Sequence, residues 1–291
     1  MDERLHQMKQ QHESIPIPEE LNMVVKRAIK QRKKRRTAVQ ALSGAAAAFI
    51  LFAGGVNASP AFAAAMSDVP IIGSLVKVIT IQEFSHRDDS SEVHVETPAV
   101  KQLDDPVLEE ALNSKYAAEN KKLYETFKDE VAKLEKNNGK AHMSLDSGYE
   151  IVTNTDRLLT LSRYVVTAAG SSAETRVYDT IDKQEKLVIT LPSLFKDDSY
   201  VKVISENIKQ QMKQQMQADP DKIYWVESTE DDPVTPFERI GKDQNFYINA
   251  DGKLIISFNE YDVAPGYMGV VEFAIPTEVL SDILVSNEYI K

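Results

Sequence analysis

The sequence predicts an α+β extracellular domain, an antiparallel sheet with packed helices, joined to one transmembrane helix and a short cytoplasmic helical segment. Three observations lead to this organisation. Residues 1–37 carry a net charge of +5, and residues 38–65 carry no charge at all. Residues 66–291 carry a net charge of −16, with 40 acidic against 24 basic side chains. A basic head, a neutral middle and an acidic body predict three regions with different physical roles.

The neutral stretch predicts a transmembrane helix at residues 38–57. Residues 38–56 read AVQALSGAAAAFILFAGGV, which is 19 residues without a charge, and about 20 such residues span a bilayer. Five consecutive cations at residues 32–36 precede it. Since positive flanks stay in the cytoplasm, we expect a single-pass protein of the cell membrane with a cytoplasmic N-terminus and an extracellular C-terminal domain. An alanine-rich helix buried in a soluble core is the alternative.

The sequence after this helix resembles a signal-peptidase site. Ala63 and Ala65 fit the small-x-small rule, so cleavage after Ala65 would leave Met66 as the new N-terminus. The segment is therefore a cleavable signal, a permanent anchor, or an anchor whose cleavage is regulated. The head of 37 residues is long for a signal peptide, which favours an anchor with a role in the cytoplasm. We predict that residues 58–97 hold the cleavage site and a juxtamembrane linker.

The basic head, residues 1–37, contains one predicted amphipathic helix. Its apolar positions recur at helical spacing, at Leu21, Val24, Val25, Ala28 and Ile29. Because 37 residues cannot enclose a core of their own, this apolar stripe requires a membrane surface or a groove on a partner. DNA binding is a third option, and a single helix gives it little support.

The compact domain is predicted at residues 98–291. A long helix from Asp104 to the Asn137-Asn138-Gly139 stop precedes four short β-branched runs that read as an antiparallel meander. A second helix, a hairpin around Ala250-Asp251-Gly252, a further strand and a final helix follow. The predicted elements after the first helix are strands at 149–155, 158–168, 174–182 and 187–190, a helix at 200–217, strands at 246–249, 254–258 and 270–274, and a helix at 276–283.

The composition argues against several kinds of chemistry in this domain. The chain has no cysteine, which excludes disulfides, thiolate metal sites and cysteine nucleophiles. No histidine follows His142, which excludes a Ser–His triad or a histidine metal site built wholly in the last 149 residues. No phosphate loop or metal-binding motif is present, and paired carboxylates such as Asp197-Asp198 are typical of a solvated surface. We therefore expect no enzyme, catalytic residue, metal or cofactor.

Residues 259–269, NEYDVAPGYMG, are the part of the domain most typical of a binding site. Glycine and proline give such a loop a defined shape. The loop offers Tyr261, Tyr267 and Met268 between two predicted strands, and exposed side chains of these types are common in binding hot spots. The alternative is that both tyrosines only cover the end of the sheet.

The same residues carry a family resemblance. The sequence from Phe258 to Pro276, FNEYDVAPGYMGVVEFAIP, resembles the signature of the DUF3298 family, and the neighbouring region resembles the DUF4163 module that accompanies it. The whole chain, including the junction at residues 59–73, is similar to membrane anti-sigma factors of this family. The resemblance implies a receptor rather than an enzyme. Its cytoplasmic head would hold an extracytoplasmic-function sigma factor inactive, and its outer domain would bind C-type lysozyme.

The resemblance also implies how the signal is transmitted and which residues act. Lysozyme binding would expose the junction to signal peptidase, and a site-2 protease would then cut the membrane helix and free the sigma factor, without direct contact to nucleic acid. Ala63, Ala65 and Met66 match the cleavage site, and the apolar stripe of the head is the expected sigma-binding face. The lysozyme-contacting residues would lie in two loops, at Tyr261, Pro265, Gly266, Tyr267 and Met268, and at Ser171, Ser172 and Thr175.

The net charge of −16 suits a strongly cationic ligand such as lysozyme. Three other interpretations of the function stay open. The outer domain could be a membrane-anchored module that binds peptidoglycan. The chain could be a secreted protein with a cleaved signal, or an anti-sigma factor with a different ligand.

Overall fold

The computed structural model describes residues 76–138, 140–228 and 234–291. The predicted sigma-binding helix, transmembrane helix and cleavage site lie outside these residues and stay predictions. In the described part of the chain, no helix is both long and apolar enough to cross a membrane.

Six strands form the larger sheet, in the order β1-β2-β3-β4-β5-β6. All neighbouring strands run antiparallel except β2 and β3, which are parallel and are connected by the long helix α1. A parallel pair needs such a crossover, since its strands cannot be joined by a tight turn. The elements are β1 (Lys77–Arg87), β2 (Ser91–Lys101), α1 (Pro106–Asn138), β3 (Met143–Asn154), β4 (Leu158–Ala169), β5 (Ser171–Asp182) and β6 (Leu187–Ile189).

The helix α1 begins where the sequence predicts it, because Asp105 caps its N-terminus. One carboxylate oxygen of Asp105 accepts hydrogen bonds from the backbone amides of Val107 and Leu108, at 3.0 and 2.9 Å. The apolar side of α1 then covers one face of the sheet. Tyr116 packs with Leu159 and other residues of β2, β4 and β5, and the far end of the helix packs on β2 and β3.

The expected linker is wrong over residues 77–97, because β1 and most of β2 occupy that range. Val93 and Val95 of β2 are buried in the core beneath α1. The strand β2 also lies between β1 and β3, so its backbone polar groups find partners on both sides. The sheet therefore begins about 20 residues before the predicted domain boundary at residue 98.

A smaller antiparallel sheet, in the order β7-β8-β9, forms the second half of the domain together with α2. The predicted hairpin at Ala250-Asp251-Gly252 joins β7 and β8. The helix α2 buries Ile204, Ile208 and Met212 in the core that it shares with this sheet. The elements are a 3-10 turn at Leu191–Leu194, α2 (Ser199–Ala218), β7 (Phe246–Ile248), β8 (Leu254–Phe258), a 3-10 turn at Gly266–Met268, β9 (Val271–Ile275) and α3 (Thr277–Leu280).

Hydrogen bonds between side chains and backbone join the two sheets. The Thr153 hydroxyl donates to the carbonyl of Ile248 at 2.8 Å, and the Asn245 side chain donates to the carbonyl of Arg176 at 2.8 Å. The predicted α+β class, with a mainly antiparallel sheet and packed helices, is confirmed for the described residues. The smaller sheet is thereby attached to β3 and β5.

Candidate ligand-binding surface

The loop between β8 and β9, residues 259–270, is anchored in the core at its middle. Val263 and Ala264 are buried, and the backbone amide of Trp225 donates to the carbonyl of Val263 at 2.8 Å. The loop starts with a tight turn, in which the amide of Asn259 donates to the Asp262 carboxylate at 2.8 Å. Its exposed side chains are therefore held on a fixed backbone, which lowers the entropic cost of binding a partner.

Two aromatic side chains project from this anchored loop. Tyr267 is 65% exposed and Tyr261 is 48% exposed. Among the described residues, these are the two exposed tyrosines, and the alternative that both only cover the sheet is wrong for Tyr267. Exposed tyrosines on a rigid backbone offer a large contact area with few torsions to immobilise.

Two glycines of the loop have specific roles in its geometry. A Cβ atom on Gly266 would lie 2.4 Å from the phenol end of Tyr261, so the tyrosine ring rests directly on the glycine backbone. Gly269 has φ of +64°, a conformation that strongly favours glycine, and it ends the 3-10 turn of Gly266–Met268. The sequence predicted a shaped loop, and these contacts give the physical reason.

Hydrogen bonds connect the loop to the first half of β5. The amide of Glu174 donates to the Glu260 carboxylate at 2.8 Å, and the amide of Glu260 donates back to the carbonyl of Glu174 at 3.3 Å. The amide of Arg176 donates to the Asn259 side chain at 2.7 Å. The structure therefore brings the β8–β9 loop to the strand that carries Thr175, which is exposed.

The other residues of the second predicted loop lie at the tip of the β4–β5 hairpin. Ser171 and Ser172 are exposed and pair with Ala169 and Ala168 of β4. Both serines line an open depression of about 510 Å³ that also includes Asp88 and His142. The predicted second loop is thus a strand end, with its two serines on the hairpin tip and Thr175 next to the contact with Glu260.

Hydrogen bonds hold the Asp88 side chain at the edge of this depression. Asp88 accepts hydrogen bonds from the backbone amides of Ser90 and Ser91 and from the Ser91 hydroxyl, at 2.7, 2.7 and 2.8 Å. These bonds hold the pKa of Asp88 far below its usual range. Within the described residues, no three histidine or acidic side chains come together to hold a metal ion.

Sequence reasoning did not identify the segment that supports Tyr267. The Tyr267 hydroxyl donates to the carbonyl of Asp221 at 3.0 Å. The sequence does not point to this segment, because a backbone carbonyl as acceptor leaves no signal in a single sequence. The positions expected to bind a sigma factor and to be cut by signal peptidase lie outside the described residues.

Two family models match the chain. One is described as a protein of unknown function, DUF3298, and matches residues 192–278. The other is described as a domain of unknown function, DUF4179, and matches residues 33–102. The DUF3298 resemblance is confirmed, whereas the neighbouring DUF4163 module stays a prediction.

The fold is similar to two solved structures of DUF3298 family members. One is from Bacteroides fragilis NCTC 9343, with 16% identity and a TM-score of 0.49 over 74% of this chain and 95% of that chain. The other is from Pseudomonas aeruginosa PAO1, with 15% identity and a TM-score of 0.49 over 74% of this chain and 97% of that chain.

A much closer relationship is found in sequence. The chain is 47% identical over 292 residues to the anti-sigma-V factor RsiV of Bacillus subtilis strain 168, and the alignment covers 100% of both chains. Identity at this level over the whole length shows that the chain belongs to the family of the anti-sigma-V factor RsiV.

Proposed function

We propose that the protein is a single-pass membrane anti-sigma factor whose outer domain is a receptor for C-type lysozyme. The anti-sigma role is supported by the full-length identity of 47% to an anti-sigma factor. The receptor role is supported by one structural observation above all. The β8–β9 loop presents Tyr267, 65% exposed, on a backbone that is fixed to the core and to β5.

The charge of the outer part supports a cationic ligand. Residues 66–291 carry a net charge of −16, and Glu260 and Asp262 lie within the candidate loop itself. Complementary charge raises the association rate and makes binding sensitive to salt. The geometry supplies a projecting, rigid loop, and such a loop can enter a cleft in the way that an inhibitor does.

Titration calorimetry of residues 66–291 with hen egg-white lysozyme tests the receptor role. We expect one-to-one binding that weakens as salt is added. Tyr267→Ala should weaken it by about 30-fold, which corresponds to roughly 2 kcal/mol for a hot-spot residue. Val107→Ala, at a 78% exposed position at the start of α1, is the matched control and should leave the affinity unchanged.

Each negative result of this titration would contradict a different part of the proposal. If the unsubstituted domain does not bind lysozyme, the receptor proposal is wrong, and soluble peptidoglycan fragments become the next ligand to titrate. If it binds and Tyr267→Ala has no effect, the β8–β9 loop is not the contact.

The sigma-binding role is assigned to the head. An apolar stripe with basic flanks suits a groove on a partner protein, and the extracytoplasmic-function sigma factor is the proposed occupant. Val25→Asp and Ile29→Asp each place a charge in the stripe, whereas Lys26→Asp changes charge on the other face. We expect the first two to release the sigma factor in a reporter assay and the third to retain it. Full repression in all three variants would contradict the assignment.

The membrane segment at residues 38–57 and the site at Ala63 and Ala65 are proposed to release the signal. Adding lysozyme to cells should produce a fragment that begins at Met66, which N-terminal mass spectrometry would detect. The site-2 protease should then cut the membrane segment that remains. Ala65→Phe should block the first cut, because signal peptidase requires a small residue there. Ala61→Phe lies outside the small-x-small positions and should still be cut. Production of the fragment without lysozyme would favour a constitutively cleaved signal.

A further inference from the structure

The segment that follows α2, residues 219–227 and hereafter the α2 extension, lies against the β8–β9 loop at two points. The carbonyl of Asp221 accepts a hydrogen bond from the Tyr267 hydroxyl at 3.0 Å. Four residues later, the amide of Trp225 donates to the carbonyl of Val263 at 2.8 Å. The α2 extension is therefore the immediate neighbour of the loop that carries the most exposed tyrosine.

The α2 extension is itself fixed to the core. Tyr224 is 7% exposed, its ring packs against Phe273, and its hydroxyl donates to the Gln215 side chain at 2.7 Å. Lys222 donates to the same Gln215 oxygen at 2.9 Å. These contacts give the α2 extension one conformation, so a side chain that it exposes is presented in a defined place.

That exposed side chain is Ile223. It is 44% exposed and lies between the two attachment points, Asp221 and Trp225. The side chains of its neighbours have identified roles, since Tyr224 is buried and Lys222 binds Gln215. Ile223 is not part of the apolar core beneath it. A single exposed isoleucine is ordinary, but this one lies two residues from the carbonyl that accepts the hydrogen bond of the exposed Tyr267.

The charge around Ile223 indicates the class of partner. The α2 extension contains three acidic residues and one lysine, and the β8–β9 loop contains two acidic residues and no basic one. The lysine is turned towards Gln215, and one of the three acids, Glu227, is paired with Lys213 of α2 at 2.7 Å. An apolar contact inside an acidic rim is the expected arrangement for binding a cationic protein, because the rim supplies charge complementarity and the centre supplies the apolar contact.

We propose that Ile223 is a third contact element of the lysozyme-binding surface, beside the β8–β9 loop and the start of β5. This inference rests on the proposed receptor function. Ile223 contributes direct apolar contact, and the α2 extension also holds Tyr267 in place through the carbonyl of Asp221.

The test is a comparison of two isoleucines in the full-length chain, purified in detergent micelles. Ile223 is 44% exposed, and Ile81 on β1 is 49% exposed, so equivalent substitutions at the two positions differ in location and not in chemistry. The probe is hen egg-white lysozyme, measured by biolayer interferometry. Thermal unfolding of each variant verifies that it is folded.

Ile223→Ala should raise the Kd about tenfold, and Ile223→Arg should raise it at least 30-fold by placing a cation against a cationic ligand. Ile81→Ala and Ile81→Arg should change it less than twofold. If the Ile223 variants bind like the unsubstituted chain, the inference is overturned while the receptor function stands. If both arginine variants weaken binding equally, the effect is long-range charge and the inference is likewise overturned. Absence of lysozyme binding by the unsubstituted chain overturns both proposals.

Discussion

Replacing one carboxylate oxygen of Asp182 should destabilise the whole domain. Its side chain is fully buried at the end of β5. One oxygen accepts from the amides of Gln184 and Glu185, at 2.7 and 2.9 Å. The other accepts from the Arg157 guanidinium and the Tyr289 hydroxyl, both at 2.8 Å. These contacts connect β5 to the C-terminal residues of the domain.

Asp182→Asn keeps the shape and removes half of the acceptors. In one orientation the NH₂ group faces the two backbone amides, and in the other it faces the Arg157 guanidinium and the Tyr289 hydroxyl, which can turn to accept a hydrogen bond. Each buried donor left unpaired costs about 1–3 kcal/mol, and the charge that pairs with Arg157 is also lost. Arg157 keeps its ion pair with Glu288 and is 22% exposed, which limits its contribution to the loss of stability. We therefore expect a loss of about 3 kcal/mol, near the lower end for a broken buried ion pair.

Urea unfolding of residues 66–291 measures this loss through the fluorescence of Trp225, the single tryptophan of the chain. The matched control is Asp251→Asn, because Asp251 is exposed in the β7–β8 turn. That change should alter the unfolding free energy by less than about 0.5 kcal/mol. If Asp182→Asn costs less than about 1 kcal/mol, or no more than the control, the hydrogen-bond argument is refuted.

Three further outcomes are expected. Burial acts to raise the pKa of Asp182, but its hydrogen bonds outweigh burial and lower it. Its stabilisation should therefore be complete above its unfolded pKa of about 3.9 and be lost as pH falls through the lower folded pKa. Urea titrations at pH 7 and pH 3 should show a smaller gap between the Asp182→Asn variant and the unsubstituted domain at pH 3, and an equal gap would contradict this. Gly266→Ala should push the Tyr261 ring from its place and weaken lysozyme binding about tenfold. The free energy of unfolding should change by less than about 1 kcal/mol, because the half-exposed ring can move into solvent. Tyr267→Phe removes the hydrogen bond to Asp221 and keeps the ring, so calorimetry should show about a threefold loss of affinity. A loss as large as that of Tyr267→Ala would contradict the view that the ring supplies most of the contact.

Local patterns in the sequence identified most elements of the outer domain. Asp105 marks the start of α1, and the turn at Asp251-Gly252 marks the β7–β8 hairpin. Both signals act within a few residues, through a cap or a turn, and need no distant partner. The pairs β3–β4 and β4–β5 were also predictable, since neighbouring strands with short connections usually pair.

The assignment of residues 77–97 failed for a different reason. Position next to the predicted membrane segment suggested a linker, but whether a short run of alternating residues becomes a strand depends on the strands available to pair with it. Val93 and Val95 are buried in a cluster that includes Phe127 and Val131 of α1. The parallel pairing of β2 with β3 spans the whole of α1, and no local signal encodes it.

The candidate surface also combines features that the sequence determines with contacts that only the fold creates. The sequence by itself determined that residues 259–269 form a shaped loop with two tyrosines, because glycine and proline act on their own backbone. It also determined the acidic charge of the outer part. Only the tertiary structure decided that Glu260 meets Glu174, 86 residues away in the chain, and that Asp221 supports Tyr267. The physical reason is that each contact pairs a side chain with a backbone amide or carbonyl, groups that nearly all residues carry, so chain folding and not residue type selects the backbone partner.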